Sequence, residues 1–238
     1  MNDIIFVRYI FFLCIRLHSG LLSSIVNLNE GCENMSIAWL LNDPVNSYLY
    51  YLAGTTEKVL VAAPHHAPLD VSTLPCASHP TADENTGWIA YELASRLNCS
   101  CLIAGNYFLD PNKYKTSDYF KKIEAVQPEI LIEIHGHGSV SATFDIEISC
   151  GSREKSPLSQ RMATQLATAF SNHPGLRHYT ISGDFDQIHL RATKSLTINT
   201  NEWTAYHIEL PFQLRKDPLQ YKIMCDQLKN IILEMVSG

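Results

Sequence analysis

The chain lacks an excess of positive charge: 18 lysines and arginines stand against 24 aspartates and glutamates, for a formal charge of -6 over 238 residues. A nucleic-acid partner requires a basic footprint, so none is expected, and no polybasic run offers a membrane surface a grip. Paired C-x-x-C motifs are also missing. The seven cysteines, at 14, 32, 76, 99, 101, 150 and 225, are odd in number and irregular in spacing. That argues against both a cysteine zinc site and a disulfide framework; reduced thiols in a cytoplasmic protein are expected. No apolar run has the ~20 residues of a membrane span. The stretch over 4–17 is broken by Arg8 and Arg16, follows only Asn2 and Asp3, and precedes no A-x-A cleavage signal. Residues 1–34 are therefore expected to be a peripheral tail or an over-extended start before Met35, with a signal anchor as the alternative. Residues 35–238 are expected to form a single α/β hydrolytic domain. Without a G-x-S-x-G elbow, a serine triad is not expected.

What is present is an ordinary globular composition, 46% hydrophobic and 18% charged. Strand and helix patterns alternate along it. "SYLYYLAGTTEKVLVAAPHH" reads as two strands around a Gly-Thr-Thr-Glu turn. "TADENTGWIAYELASRLN" reads as a helix over 84–98, with Ile89, Leu93 and Leu97 on one stripe. "CLIAGNYF" is a strand and "SDYFKKIEAV" a helix capped by Ser117. Then come strands in "EILIEIH" and "TFDIEISCG", a helix in "SPLSQRMATQLATAFSN", and strands in "RHYTIS", "SLTIN" and "AYHIELPF". The helix "PLQYKIMCDQLKNIILEMV" completes the series. This alternation predicts an α/β fold with a mixed, largely parallel central sheet flanked by helices. In such sheets ligands collect beyond the carboxyl ends of the strands.

Those ends carry the polar residues that need explaining. The apolar run "KVLVAAP" delivers His65 and His66, "EILIEI" delivers His135, and "AYHIELP" delivers Glu209. Side chains alternate along a strand, so Glu133 and His135 share a face opposite Ile130, Ile132 and Ile134. Asp145 and Glu147 likewise share a face, as do His207 and Glu209. A mixed sheet with one wet face gives the same alternation, but three acid-bearing strands with terminal histidines point to a site. Histidines and a carboxylate suit zinc, and three protein ligands leave an open catalytic position. The expected set is one Zn2+ on His65, Glu84 and His135. His66 competes with His65. Glu84 has a rival role in a capping box, Thr81-Ala82-Asp83-Glu84, with Asp70 as the reserve ligand. Glu209 is the expected general base, taking a proton from water and passing it to the leaving nitrogen.

"VAAPHH", "ADENTG", "NYFLDPNK", "LIEIHGHG" and "IELPFQLR" together resemble the N-formylglutamate amidohydrolases and, more distantly, the zinc carboxypeptidases. The resemblance runs in order over roughly residues 58–215. It implies zinc on His65, Glu84 and His135, and Glu209 as the base. "DPNK" is similar to a D-x-N-R segment that grips the substrate carboxylate, which would fall to Asn112 and Lys113. The compact H-x-x-E of the carboxypeptidases is absent, and Lys113 replaces an arginine, which loses the bidentate fork and keeps the charge. His137, Asp145 and Arg215 complete the expected substrate contacts. The reading is a metal-dependent amidohydrolase acting on a small anionic acyl-amino acid or peptide end. A two-metal phosphoesterase and a non-catalytic binding module on the same fold are the alternatives.

Overall fold

The computed structural model describes residues 24–27, 33–138 and 141–237. Its strands are β1 (Ser24–Asn27), β2 (Tyr48–Leu52), β3 (Thr56–Ala67), β4 (Asp83–Glu84), β5 (Cys99–Gly105), β6 (Ile130–His137), β7 (Ile146–Ser149), β8 (Ile181–Ser182) and β9 (Thr204–Pro211). The helices are α1 (Glu33–Leu41), α2 (Thr86–Leu97), α3 (Asp118–Val126), α4 (Ser156–Ser171), α5 (Phe212–Lys216) and α6 (Pro218–Ser237), with a 3-10 turn at Pro111–Lys113. Among the described residues nine strands make one sheet in the order β1-β2-β5-β3-β6-β9-β7-β8, with β4 added alongside β3. The four central strands β5, β3, β6 and β9 are parallel. Outside them β2 and β7 run antiparallel to the centre. The expected mixed, largely parallel sheet flanked by helices is what forms.

Alternation in the central strands sorts two cores. Ile130, Ile132 and Ile134 pack on one face with Ile89 and Leu93 of α2, Met162 of α4 and Met224 of α6. Leu131, Leu60 and Ala205 pack on the other with Tyr119, Phe120 and Ile123 of α3. That second face is apolar only part of the way along. Toward the carboxyl ends of the strands its positions are Glu133, His135, His207 and Glu209, all buried. It is therefore not a wet face, and its charges are held by one another.

Several expectations shift. β2 and β3 do not pair with each other, because β5 lies between them. "SLTIN" forms turns rather than a strand, and "RHYTIS" contributes only β8. The helix expected from 84 begins at Thr86 behind Asn85, whose left-handed φ of 69° suits asparagine better than most residues. The capping box at Thr81 does not form, since Asp83–Glu84 is extended and pairs with β3. Ser117, by contrast, caps α3 as expected, accepting from the Phe120 amide at 3.0 Å. Part of the expected tail takes structure: β1 pairs with β2 at the sheet edge. Residues 1–23 and 28–32 of it lie outside the described residues. Among the described residues no helix is long and apolar enough to cross a membrane.

Candidate active site

Three side chains converge above the carboxyl ends of β3 and β6. Asp83 Oδ2 lies 3.3 Å from His65 Nδ1 and 3.2 Å from His135 Nδ1. The two imidazoles stand edge to face, 5.2 Å apart between centroids. All three residues are buried. Ligands at about 2.0–2.1 Å from a tetrahedral zinc ion stand about 3.3–3.4 Å from one another. The observed separations match that spacing, so these donors fit zinc.

The outer nitrogen of each histidine is held by a second buried carboxylate. His65 Nε2 meets Asp110 Oδ1 at 3.0 Å, and His135 Nε2 meets Glu133 Oε2 at 3.2 Å. A carboxylate behind each imidazole fixes its orientation and raises its basicity, which is the support that metal-binding histidines receive. Glu133 is itself fixed, accepting from the Tyr119 hydroxyl at 2.9 Å. This explains a carboxylate in the middle of an apolar strand: Glu133 stands behind His135 rather than facing the cleft.

Without a cation, protons and hydrogen bonds balance the cluster. Burial alone would raise the pKa of Asp83, but the hydrogen bonds and charges of His135 and His65 outweigh it and hold the carboxyl well below its usual range. Burial would lower His135, yet its hydrogen bonds to Asp83 and Glu133 push it up to about 10. In the β6–β9 ladder His135 stands directly beside Glu209. Burial raises Glu209 to about 7, even against the opposing charge of His135. Its Oε1 is 3.3 Å from His207 Nε2, while Oε2 is buried with no partner. These groups open into a cleft of about 430 Å³ that His79, Asn112, Lys113 and the segment 189–195 also line.

The expected site residues are distributed as follows. His65 is in the cleft, whereas the His66 ring accepts from the Gly87 amide and its Nε2 meets the Leu41 carbonyl, both at 3.1 Å. Burial drives His66 down to about 4, so it is a neutral packing residue. Asp83 takes the place expected of Glu84. The Glu84 carboxylate turns the other way and accepts from the Asp70 amide at 2.7 Å; Asp70 itself is exposed. The reason is the extended backbone at 83–84, which sends neighbouring side chains to opposite sides. Asn112 and Lys113 line the cleft, but Lys113 is paired with Asp110 at 2.5 Å. Asn112 Oδ1 is buried without a partner.

Three other expected substrate contacts are engaged elsewhere. Arg215 is buried and donates to the carbonyls of Leu210, Glu84 and His137, tying three segments together beneath the cleft. The Asp145 carboxylate accepts from the Thr180 amide and hydroxyl. His137 lines the cleft, but its ring nitrogens face the Gly138 and Asp145 carbonyls. Sequence reasoning missed His79, which stacks on His65 with centroids 3.8 Å apart. It sits in a loop with no periodic signal. Asp110 was missed as a support because its partner lies 45 positions away.

No protein-family model matches the chain, and no curated protein matches it. Among solved structures, N-formylglutamate amidohydrolase from Ralstonia eutropha superposes over 79% of this chain and 97% of its own, with a TM-score of 0.51 and 11% identity. The catalytic domain of an N-acetylmuramoyl-L-alanine amidase from Bacillus polymyxa covers 76% of this chain and 98% of its own, with a TM-score of 0.49 and 16% identity. The first likeness establishes a shared fold: a mixed α/β sheet flanked by helices.

Proposed function

We propose that the chain is a zinc-dependent hydrolase that cleaves the amide bond of a small N-acyl amino acid or a short peptide end. His65, Asp83 and His135 would hold one ion. The observation that carries this reading is the 3.2–3.3 Å spacing of two imidazole nitrogens about one carboxylate oxygen, each imidazole backed by a buried acid. Two histidines and one carboxylate are a donor set found in zinc hydrolases with an open position. The amidohydrolase fold of the Ralstonia protein is consistent with it.

When bound, zinc supplies an acidified water and a polarised amide carbonyl. The chain's own residues do the rest. Glu209, raised to about 7, takes a proton from water at neutral pH and returns it to the departing nitrogen. Burial keeps that carboxylate poorly hydrated and so basic. Asp110 and Glu133 hold the two imidazoles in register. Asn112, through its unpartnered Oδ1, is a hydrogen-bond acceptor for a substrate N–H. A cytoplasmic setting belongs to this reading.

The two-metal phosphoesterase retains one supporting observation: further ligand groups, His65-His79-Asp110 and His135-His207-Glu209, adjoin the first. Each shares a histidine with the first group, so two ions would compete for His65 or His135. We therefore favour a single ion. Elemental analysis of protein purified without added metal tests the proposal. About one zinc per chain is expected, lost in His135→Ala and in Asp83→Ala. Glu209→Gln should keep its zinc and lose hydrolysis of N-acyl amino acids by ~100-fold or more. Two metals per chain, or full activity in Glu209→Gln, would overturn it.

A further inference from the structure

A hydrolase for an anionic substrate needs a cation near its cleft, and the residues expected to supply it are occupied. Arg215 is buried beneath the cleft on three carbonyls, and Lys113 is neutralised by Asp110. Every residue from His189 to Ser195 lines the cleft, and this segment carries two further cations, Arg191 and Lys194, both exposed. Among the described residues neither has a carboxylate within salt-bridge reach. The nearby acid Asp186 is paired through its side chain with Arg153. Arg191 is also preorganised: its Nε donates to the Ile188 carbonyl at 3.0 Å and Nη2 to the Asp186 carbonyl at 3.3 Å. The Phe185 ring lies 5.3 Å away.

The segment is anchored from below by buried polar side chains of β7. Glu147 Oε2 accepts from the His189 and Leu190 amides at 2.9 and 2.7 Å. Its Oε1 accepts from Thr143 and Phe144 in the neighbouring loop. Ser149 Oγ donates to the Arg191 carbonyl at 2.6 Å. Ala192 adopts a left-handed φ of 53°, a conformation alanine avoids unless its surroundings impose it. An irregular loop held this tightly by a buried carboxylate is built to present something.

We propose that 189–195 is the substrate-recognition lip, on which Arg191 and Lys194 hold a carboxylate of the substrate while Glu147 acts as the positioning residue for both. The proposal rests on the hydrolase reading for the identity of the reacting bond. With Nε and one Nη2 hydrogen on carbonyls, Arg191 keeps Nη1 and the other Nη2 hydrogen as an end-on fork that a carboxylate matches, the fork missing at Lys113.

Glutarate, a dicarboxylate with no amide to cleave, probes the lip independently of catalysis. Its dissociation constant by calorimetry should rise at least tenfold in the double variant Arg191→Gln/Lys194→Gln, with zinc content unchanged. Glu147→Gln should raise KM for N-acetylglutamate with a smaller effect on kcat, although its carboxylate is held by four backbone amides and does not line the cleft. Should that variant fail to fold, the double variant still decides. Equal glutarate affinity in wild type and double variant overturns the lip. So does a loss caused by Lys113→Gln alone, or a double variant that weakens inorganic phosphate but not glutarate. Tenfold loss of glutarate binding in a protein that hydrolyses no amide would uphold the lip and reject the hydrolase reading.

Discussion

Asp83 and Glu84 carry the same charge and differ by one methylene, yet only one reaches the histidines. The choice was invisible in the sequence, where "ADENTG" fits a helix start as well as a strand end. It turns on two residues of extended pairing with His66 and Ala67. His65 and His66 divide in the same way, one into the cleft and one under α2. Glu133 illustrates the opposite case: its alternation with isoleucines placed it on the face of His135 from sequence alone, but its partner was not readable. Because it supports His135 without being one of the proposed ligands, Glu133→Gln should weaken zinc by about 10–100-fold and leave the fold intact. Glu84→Gln should change zinc affinity less than twofold. Competition against a chromophoric chelator measures both.

At the scale of elements, the site follows from parallel pairing in register. β6 and β9 set His135 beside Glu209 and Glu133 beside His207, so two histidine–acid pairs that alternate along separate strands become one cluster. Unlike Asp83–Glu84, expected at a helix start, the central strands were legible because each is a strong apolar run. Their neighbours were not, which is why β5 came to separate β2 from β3 unannounced. The glycine between the two histidines also acquires a reason here. A Cβ at Gly136 would lie 2.5 Å from Arg215 Cζ and 2.6 Å from its Nε. The guanidinium is pinned by three carbonyls and cannot step aside without leaving hydrogen bonds unmade. Gly136→Ala should therefore cost about 1–3 kcal/mol, read as a lowered urea midpoint. It should also reduce activity, because Arg215 fixes the strand end that carries His137.

For the whole molecule, the cluster of acids and imidazoles makes stability depend on pH and, on the proposed reading, on zinc. His135 is raised to about 10 in the metal-free protein, above the ordinary value near 6.5. Its protonated form stabilises the folded state fully below pH 6.5, and that contribution is lost as pH rises through about 10. Zinc requires the neutral imidazole, so its affinity rises across the same window as the proton leaves. The Tm gap between zinc-loaded and chelator-treated protein should thus widen from pH 6.5 to 9. At a hundredfold excess of free zinc over Kd, the ion adds about 2.7 kcal/mol. A gap that narrows with pH would contradict the cluster's electrostatics. By itself the sequence determined the fold class, the central strands and the faces on which their histidines and acids lie, because hydrophobic period is a local property that neighbouring residues impose on one another. Only the tertiary structure decided which acid meets which histidine, that Arg215 is a clamp, and that residues 189–195 line the cleft. Those outcomes depend on strand order and on chain segments far apart in sequence, where no local pattern carries the information.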